Sequence, residues 1–198
     1  KSVQEGGAVY NFTGPQGFGI ANMADGLFAV RKLVYEDKKV SMKELKEALA
    51  WNYDQGLDAQ SAGDIAQLVM KAMQKAGKNV DASTAETLLR TLIGMKPGEQ
   101  KTQRFKEIHD MIDEVPKFGN DIPEIDYFAR EVAYTYTKPL QNYSNPRGGM
   151  FQAGLYPVSA NVPLGGQTGA TPDGRYAHTP VADGVSPSAG KDVKGPTA

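Results

Sequence analysis

Apolar residues recur at helical spacing over most of the first 140 positions of this chain and then lose that rhythm. Leu27, Val30, Leu33 and Val34 share one face, so a helix is expected to open at Asn22 or Asp25. Ser41-Met-Lys-Glu44 is a capping box, and the helix behind it carries Met42, Leu45 and Leu49. Ser61-Ala-Gly-Asp64 predicts a further start, with Ile65, Leu68, Val69 and Met73 on one side and Gly77 placed to end it. Asp81 or Ser83 opens the next helix, with Leu88, Leu89 and Leu92 inside and Gly94 after. Residues 104–115 carry Phe105, Ile108, Met111 and Ile112 at helical spacing and stop at Pro116. Asn120-Asp121-Ile-Pro123 predicts a capped start with proline in the first turn. That helix carries Ile125, Phe128, Ala129, Val132 and Tyr136 as far as Pro139.

Two stretches carry strand signals instead. Residues 8–20 read as a short strand followed by a loop, and residues 149–162 are the best strand candidate. Strand geometry in the second would put Tyr156, Val158 and Ala160 on one face and Leu155 and Ser159 on the other. Pro157 removes a ladder donor, which points to an edge or a bulge. A phenol among small apolar groups suits a pocket for a small polar molecule, although plain core packing is the stronger reading of the residues alone. From Asn145 onward the chain is dense in glycine and proline, yet its turn signals differ from one to the next. That is a specified path of the kind active-site loops follow, not a linker. Helices with few short strands predict an α/β architecture. No internal repeat is visible.

Composition narrows the function classes. The 198 residues are 40% hydrophobic and 23% charged, with a formal net charge of −1. These values suit a globular chain and give no sign of a nucleic-acid surface or a polybasic membrane anchor. No apolar run is long enough to span a bilayer, and no secretory signal stands at the start. Cysteine is absent, which removes disulfides, thiolate metal sites and cysteine nucleophiles from these residues and is compatible with the cytosol. Both ends read as cut from a longer polypeptide; a complete domain with trimmed ends is the alternative.

Individual motifs favour structure over chemistry. Gly14-Pro-Gln-Gly17-Phe-Gly19 lacks both the G-x-G-x-x-G order and a Walker lysine, so a strand-to-helix turn outweighs a phosphate loop. His109 has no second histidine one turn on and reads as a solvated or half-buried helix residue, and His178 has no adjacent nucleophile to activate. Asp110, Asp113 and Glu114 read as a solvated face. Asn11-Phe-Thr13 matches a glycosylation acceptor without a secretion signal to support it. In Thr171-Pro-Asp-Gly-Arg175, a turn, Arg175 is expected to pin the loop to a carboxylate more than to clamp an anion.

Several blocks together resemble the C-terminal half of glycyl radical enzymes: YNFTGPQGFGIANMADGL, VPKFGNDIPEID, NPRGGMF, YPVSANVPLGGQTGATPDGR and ADGVSPSAGKDVKGPTA. The last resembles the dehydratase and carbon–heteroatom lyase branch more than pyruvate formate-lyase. The resemblance implies an α/β fold: part of a ten-stranded barrel with helices around it. Residues 1–198 would be a helix-rich fragment of that one domain, with a helical insertion at about 55–103 that departs from the family's compact members. It also implies a glycyl radical installed by a separate iron–sulfur S-adenosylmethionine activase, with no cofactor or metal bound by this chain.

The catalytic cysteine, its glutamate partner and the radical glycine would lie outside these residues, so no catalytic residue is assigned here. By the same resemblance the strand at 152–162 lines the substrate pocket with Tyr156 at a pocket position, and alternation points Val158 to the same side. Arg147 and Arg175 lie off that face, which favours a neutral diol over a sulfonate. The activity implied is dehydration of glycerol or propane-1,2-diol. Sibling C–S or C–N lyases acting on a hydroxysulfonate or on choline, and a formate acetyltransferase-like enzyme, are the enzymatic alternatives. An inactive structural module is the alternative from another class. A homodimer is implied, in the cytoplasm of an anaerobe, with a bacterial microcompartment as an alternative setting.

Overall fold

The computed structural model describes residues 1–2, 4–57, 59–78 and 81–195. Pro196, Thr197 and Ala198 of the terminal GPTA block lie outside the described residues, as do Val3, Asp58, Asn79 and Val80. The elements are α1 Ile20–Val30, a π-helical turn Arg31–Glu36, α2 Met42–Ala50, α3 Ala59–Lys75, α4 Ala82–Leu92, α5 Glu99–Glu114, α6 Pro123–Leu140 and α7 Asn161–Gly166. The chain divides into two compact units. The first comprises Lys1–Phe28, Pro116–Leu164 and Pro180–Ala198, and the second Ala29–Val115 and Gly165–Thr179.

In the first unit, α1 opens at Ile20, earlier than either Asn22 or Asp25. Gly19 sets this start: its φ is +70° and its N–H donates to the Ala182 carbonyl at 2.8 Å. Beginning there turns Ala21, Ala24, Asp25 and Phe28 inward and leaves Leu27 47% exposed. Of the expected face, Leu27 alone turns out to solvent: Leu33 is buried and Val30 and Val34 are half-buried, while Ala21, Ala24 and Phe28 form the inward stripe of α1. Asn22 holds the 182–188 loop, accepting from the Ala182 N–H at 2.7 Å and donating to Ser188 Oγ at 3.1 Å. Ile125 and Ala129 of α6 are buried, and the Phe28 and Phe128 rings meet edge to face at 5.9 Å.

The cap of α6 also differs from expectation. Asp126 reaches back to accept from the Ile122 N–H at 3.0 Å and the Gly119 N–H at 3.3 Å. Asn120 is buried instead and clips the later loop, donating to Lys191 O at 2.7 Å and accepting from Val193 N at 2.8 Å.

Neither expected strand forms among the described residues. Residues 13–17 and 150–154 do run parallel. Thr13 N–H donates to Met150 O at 3.0 Å, Gln152 N–H to Thr13 O at 2.9 Å, Gly154 N–H to Pro15 O at 2.8 Å and Gly17 N–H to Gly154 O at 2.8 Å. The bond that would join them into one ladder needs an N–H at position 15. Proline has none, so only the isolated bridges Thr13↔Phe151 and Gln16↔Gly154 remain. Past Pro157 the chain leaves this pairing, and α7 takes the place of the expected strand end.

The second unit follows the helical pattern closely. Ser41 caps α2 through a complete capping box, with Glu44 N–H to Ser41 Oγ at 3.1 Å and Ser41 N–H to Glu44 Oε2 at 2.9 Å. These bonds hold the Glu44 carboxyl below its ordinary value. α2 packs on α5, where Phe105, Ile108, His109 and Ile112 are buried.

α3 and α4 pack on each other. α3 begins before Ser61 and buries Ala62 and Ala66, while Leu68 and Val69 are exposed. It ends in a Schellman turn: Lys78 N–H bonds Met73 O, Gly77 N–H bonds Gln74 O, both at 3.0 Å, and Gly77 has φ +73°. Asp81 caps α4, accepting from Thr84 N–H at 2.8 Å; Leu88, Leu89 and Leu92 lie on its less exposed side as expected but are only half-buried, and α4 has no fully buried residue.

Candidate functional site

The parallel pair in the first unit forms a wall whose order comes from side chains reaching to backbone. Asn145 is its hub. Its Nδ2 donates to the Asn11 carbonyl and, at 3.1 Å, to Thr13 Oγ1, while its Oδ1 accepts from Arg147 N–H at 2.9 Å and Gly149 N–H at 3.1 Å. Arg147 adds bonds to Phe12 O at 3.1 Å and Thr13 Oγ1 at 3.0 Å, so its guanidinium serves the wall. Gly149 lies against the Asn11 carbonyl so closely that a side chain has no room. Tyr136 donates from its hydroxyl to Pro15 O at 2.7 Å. Asn11 turns its amide onto the Ala8 carbonyl at 2.8 Å, a local turn contact at the acceptor-like triplet.

Beyond this wall the chain carries Tyr156 and Val158. The Tyr156 ring is 59% exposed and Val158 38%, while Leu155 is half-buried and its carbonyl accepts from Val185 N–H at 2.9 Å. Gln16 stretches across from the neighbouring segment and donates its Nε2 to the Tyr156 carbonyl. Gln16, Gly154 and Asn145 were not singled out in the sequence. The only signals for them were Gln16's place between two glycines and the proline after Asn145.

The second unit gathers the other candidates, and their geometry is structural. The Thr171–Arg175 turn closes with Gly174 N–H to Thr171 O at 3.1 Å, and Gly174 takes φ +95°. Arg175 is buried and pins backbone carbonyls, not a carboxylate. It reaches Thr179 O at 2.7 Å, Tyr176 O at 3.1 Å and the Gly169 carbonyl, with Nε on Thr171 Oγ1 at 3.1 Å. Burial pulls its pKa below the ordinary guanidinium value. A guanidinium committed to so many carbonyls does not clamp an anion.

His109 is buried beside it. Its Nε2 lies 2.8 Å from Gly174 O, its ring stacks on Tyr176 at 4.6 Å, and Tyr53 meets it edge-on at 4.7 Å. Burial pushes the Tyr53 hydroxyl well above its ordinary pKa, and that hydroxyl donates to Thr171 O at 2.7 Å. Burial, with the bond to Asp54 at 3.0 Å, pushes Tyr176 up to about 12. Both phenols stay protonated at neutral pH and act as donors. Asn52 and Tyr53 hold left-handed backbone, φ 51° and 55°, as the chain leaves α2. Asn52 Oδ1 secures this by accepting from Ala177 N–H at 2.8 Å. His178 faces Gly166 O with Nδ1 at 2.7 Å. Asp110 pairs with Lys106 at 2.6 Å on an exposed face, as a solvated helix side would. No group of three metal-ligating side chains occurs among the described residues. Open hollows of about 560 Å³ at Leu68–Lys75 positions and about 400 Å³ near Asp54 and Lys96 involve neither Tyr156 nor Val158.

The chain as a whole is similar to known proteins. A family model described as pyruvate formate lyase-like matches residues 1–165. The chain belongs to this family. A probable dehydratase, YbiW of Escherichia coli (strain K12), is 36% identical over 100% of the chain and 20% of its own length. Isethionate sulfite-lyase of Oleidesulfovibrio alaskensis is 32% identical over 91% of the chain and 16% of its length. Among solved structures, one concerned with 1,2-propanediol dehydration in Roseburia inulinivorans is 61% identical with a TM-score of 0.88, covering 99% of this chain and 23% of that one. The glycerol-bound B12-independent glycerol dehydratase from Clostridium butyricum is 41% identical with a TM-score of 0.68, covering 100% of this chain and 19% of that one.

This member of the pyruvate formate lyase-like family thus spans about a fifth of the length of the curated relatives it matches. Among its described residues no helix is long and apolar enough to cross a membrane.

Proposed function

We propose that these residues are the substrate-facing part of a glycyl radical dehydratase that converts a small neutral diol, propane-1,2-diol or glycerol, to an aldehyde and water. The observation that carries this is the graded likeness: 61% identity to the structure concerned with 1,2-propanediol dehydration and 41% to the glycerol dehydratase, against 32% to the isethionate sulfite-lyase. Residue chemistry supports a neutral substrate. Tyr156 offers a hydroxyl that both donates and accepts, while Arg147 and Arg175 are spent on backbone carbonyls.

In the whole enzyme a glycyl radical, generated by an iron–sulfur S-adenosylmethionine activase, supplies hydrogen abstraction at substrate carbon. The chain contains no cysteine, so its own residues do not provide the thiol of that relay, and no step is routed through them. Their part is to bind and orient. Tyr156 hydrogen-bonds a substrate hydroxyl, Val158 packs against substrate carbon, and the wall behind them keeps both in place so that one hydrogen is presented for removal. In this reading residues 1–198 belong to one ten-stranded barrel domain in which α3 and α4, at about 55–103, are an insertion. The absence of any buried residue in α4 supports that. The enzyme is a cytoplasmic homodimer.

The test is to activate the full-length enzyme anaerobically, supply small diols and assay aldehyde. Propanal from propane-1,2-diol or 3-hydroxypropanal from glycerol is expected. Aldehyde from no small diol, with sulfite or trimethylamine released from isethionate or choline instead, would replace this reading with a sibling lyase.

A further inference from the structure

The position of Tyr156 is not fixed by a regular ladder, since Pro15 interrupts the pairing before it and Pro157 follows it. What stands behind it is Gly154. A methyl group on Gly154 would lie 2.7 Å from Gln16 Oε1 and 2.9 Å from Tyr156 Cε1, with Pro15 O in near-ordinary contact at 3.4 Å. The carboxamide of Gln16 and the ring edge of Tyr156 therefore converge on the space that the missing side chain leaves. Gly154 is not among the positive-φ glycines, so its backbone accepts alanine; what must move is the far end of two side chains.

Gln16 completes the arrangement. Its Nε2 holds the Tyr156 carbonyl, while its Oε1 is buried without a hydrogen-bond partner. An unpaired buried oxygen is unfavourable, and leucine would fill similar space without it. Stability alone therefore does not account for glutamine here. Holding the carbonyl of the residue that carries the exposed phenol does.

We propose that Gly154 and Gln16 are positioning residues for Tyr156, setting how far its ring stands forward and so which diol fits; this rests on Tyr156 facing substrate. Alanine at 154 advances the ring and narrows the space, which discriminates against the bulkier or more hydrated diol. Loss of the Gln16 amide frees the 156 carbonyl and lets the ring wander.

Three variants of the full-length enzyme test this: Gly154→Ala, Gln16→Leu and Gln16→Asn. For Gly154→Ala and Gln16→Leu, a roughly tenfold rise in KM and a changed glycerol-to-propanediol ratio of kcat/KM are expected, with kcat within about twofold and thermal midpoint unchanged or, for Gln16→Leu, raised. The shorter Gln16→Asn amide should not restore the ratio. In a Tyr156→Ala background the Gly154→Ala effect should disappear, since coupled residues are not additive. An undiminished effect there, or an unchanged KM with a lowered midpoint, would overturn the proposal. A crystal structure of Gly154→Ala reads the same point without substrate. A displaced Tyr156 ring supports the positioning role even if no diol is turned over, and an unmoved ring with unmoved Gln16 refutes it even in an active dehydratase.

Discussion

The α3–α4 pair and the 145–158 wall reach order by different routes. In the pair, almost every residue is helical, the end of α3 and the start of α4 are capped by local bonds, and burial is thin: α4 encloses nothing and Leu68 is 67% exposed. In the wall there is almost no regular structure, yet Asn145, Arg147 and Gln16 each bond to backbone or side chains more than a hundred residues away in sequence. Short-range spacing and caps account for most of the first, with Leu57 bonded to Gly94 and Met95 across its open end. The second exists only because distant segments meet, and each contact is hard to replace. Regular secondary structure is therefore a poor guide to where this chain tolerates change.

That contrast can be broken by mutation in the full-length protein. The largest effect is expected for Gly149→Ala, where the new methyl meets the Asn11 carbonyl and backbone must move. A loss of about 3 kcal/mol or more by urea denaturation is expected, and a wild-type midpoint would show that the wall is loosely held. Asn145→Ala comes next. It strips four bonds from the hub and leaves the Gly149 and Arg147 N–H groups wanting acceptors, for a loss of about 2 kcal/mol. Asp81→Ala removes only the α4 cap, a local change of about 1 kcal/mol. It should appear as faster amide exchange confined to α4, with turnover unaffected. Were Asp81→Ala to cost more than Asn145→Ala, the ranking of the two regions would be reversed.

How much of this was legible follows the same division. Periodicity and caps located α2, α3, α4, α5 and α6, and the Ser41–Glu44 box formed as read, because these depend on residues a few positions apart. Helix faces were legible unevenly: Leu45, Phe105, Ile108, Ile112, Ile125 and Ala129 are buried as expected. Leu27, Leu68 and Val69 were expected inward but are exposed, while Ala21, Ala24, Ala62 and Ala66 are buried; side chains large enough to attract notice lost to alanines that permit closer approach. The strand at 149–162 failed for a related reason. Alternation was present in the sequence, but a parallel ladder needs an N–H at every second position of its partner, and Pro15 falls on one of them. The Thr171–Arg175 turn predicts Arg175 as a loop pin to a carboxylate; it pins the loop through backbone carbonyls.

What the sequence determined by itself was family and helices: motif blocks specific enough to identify the one, and short-range spacing and capping that fix the other. The burial of alanines in α1 and α3, the hub at Asn145, and the convergence of Gln16 and Tyr156 on the empty side of Gly154 were decided only by tertiary structure. Those features arise from residues brought together across more than a hundred positions, and no local pattern records which carbonyl a side chain will find.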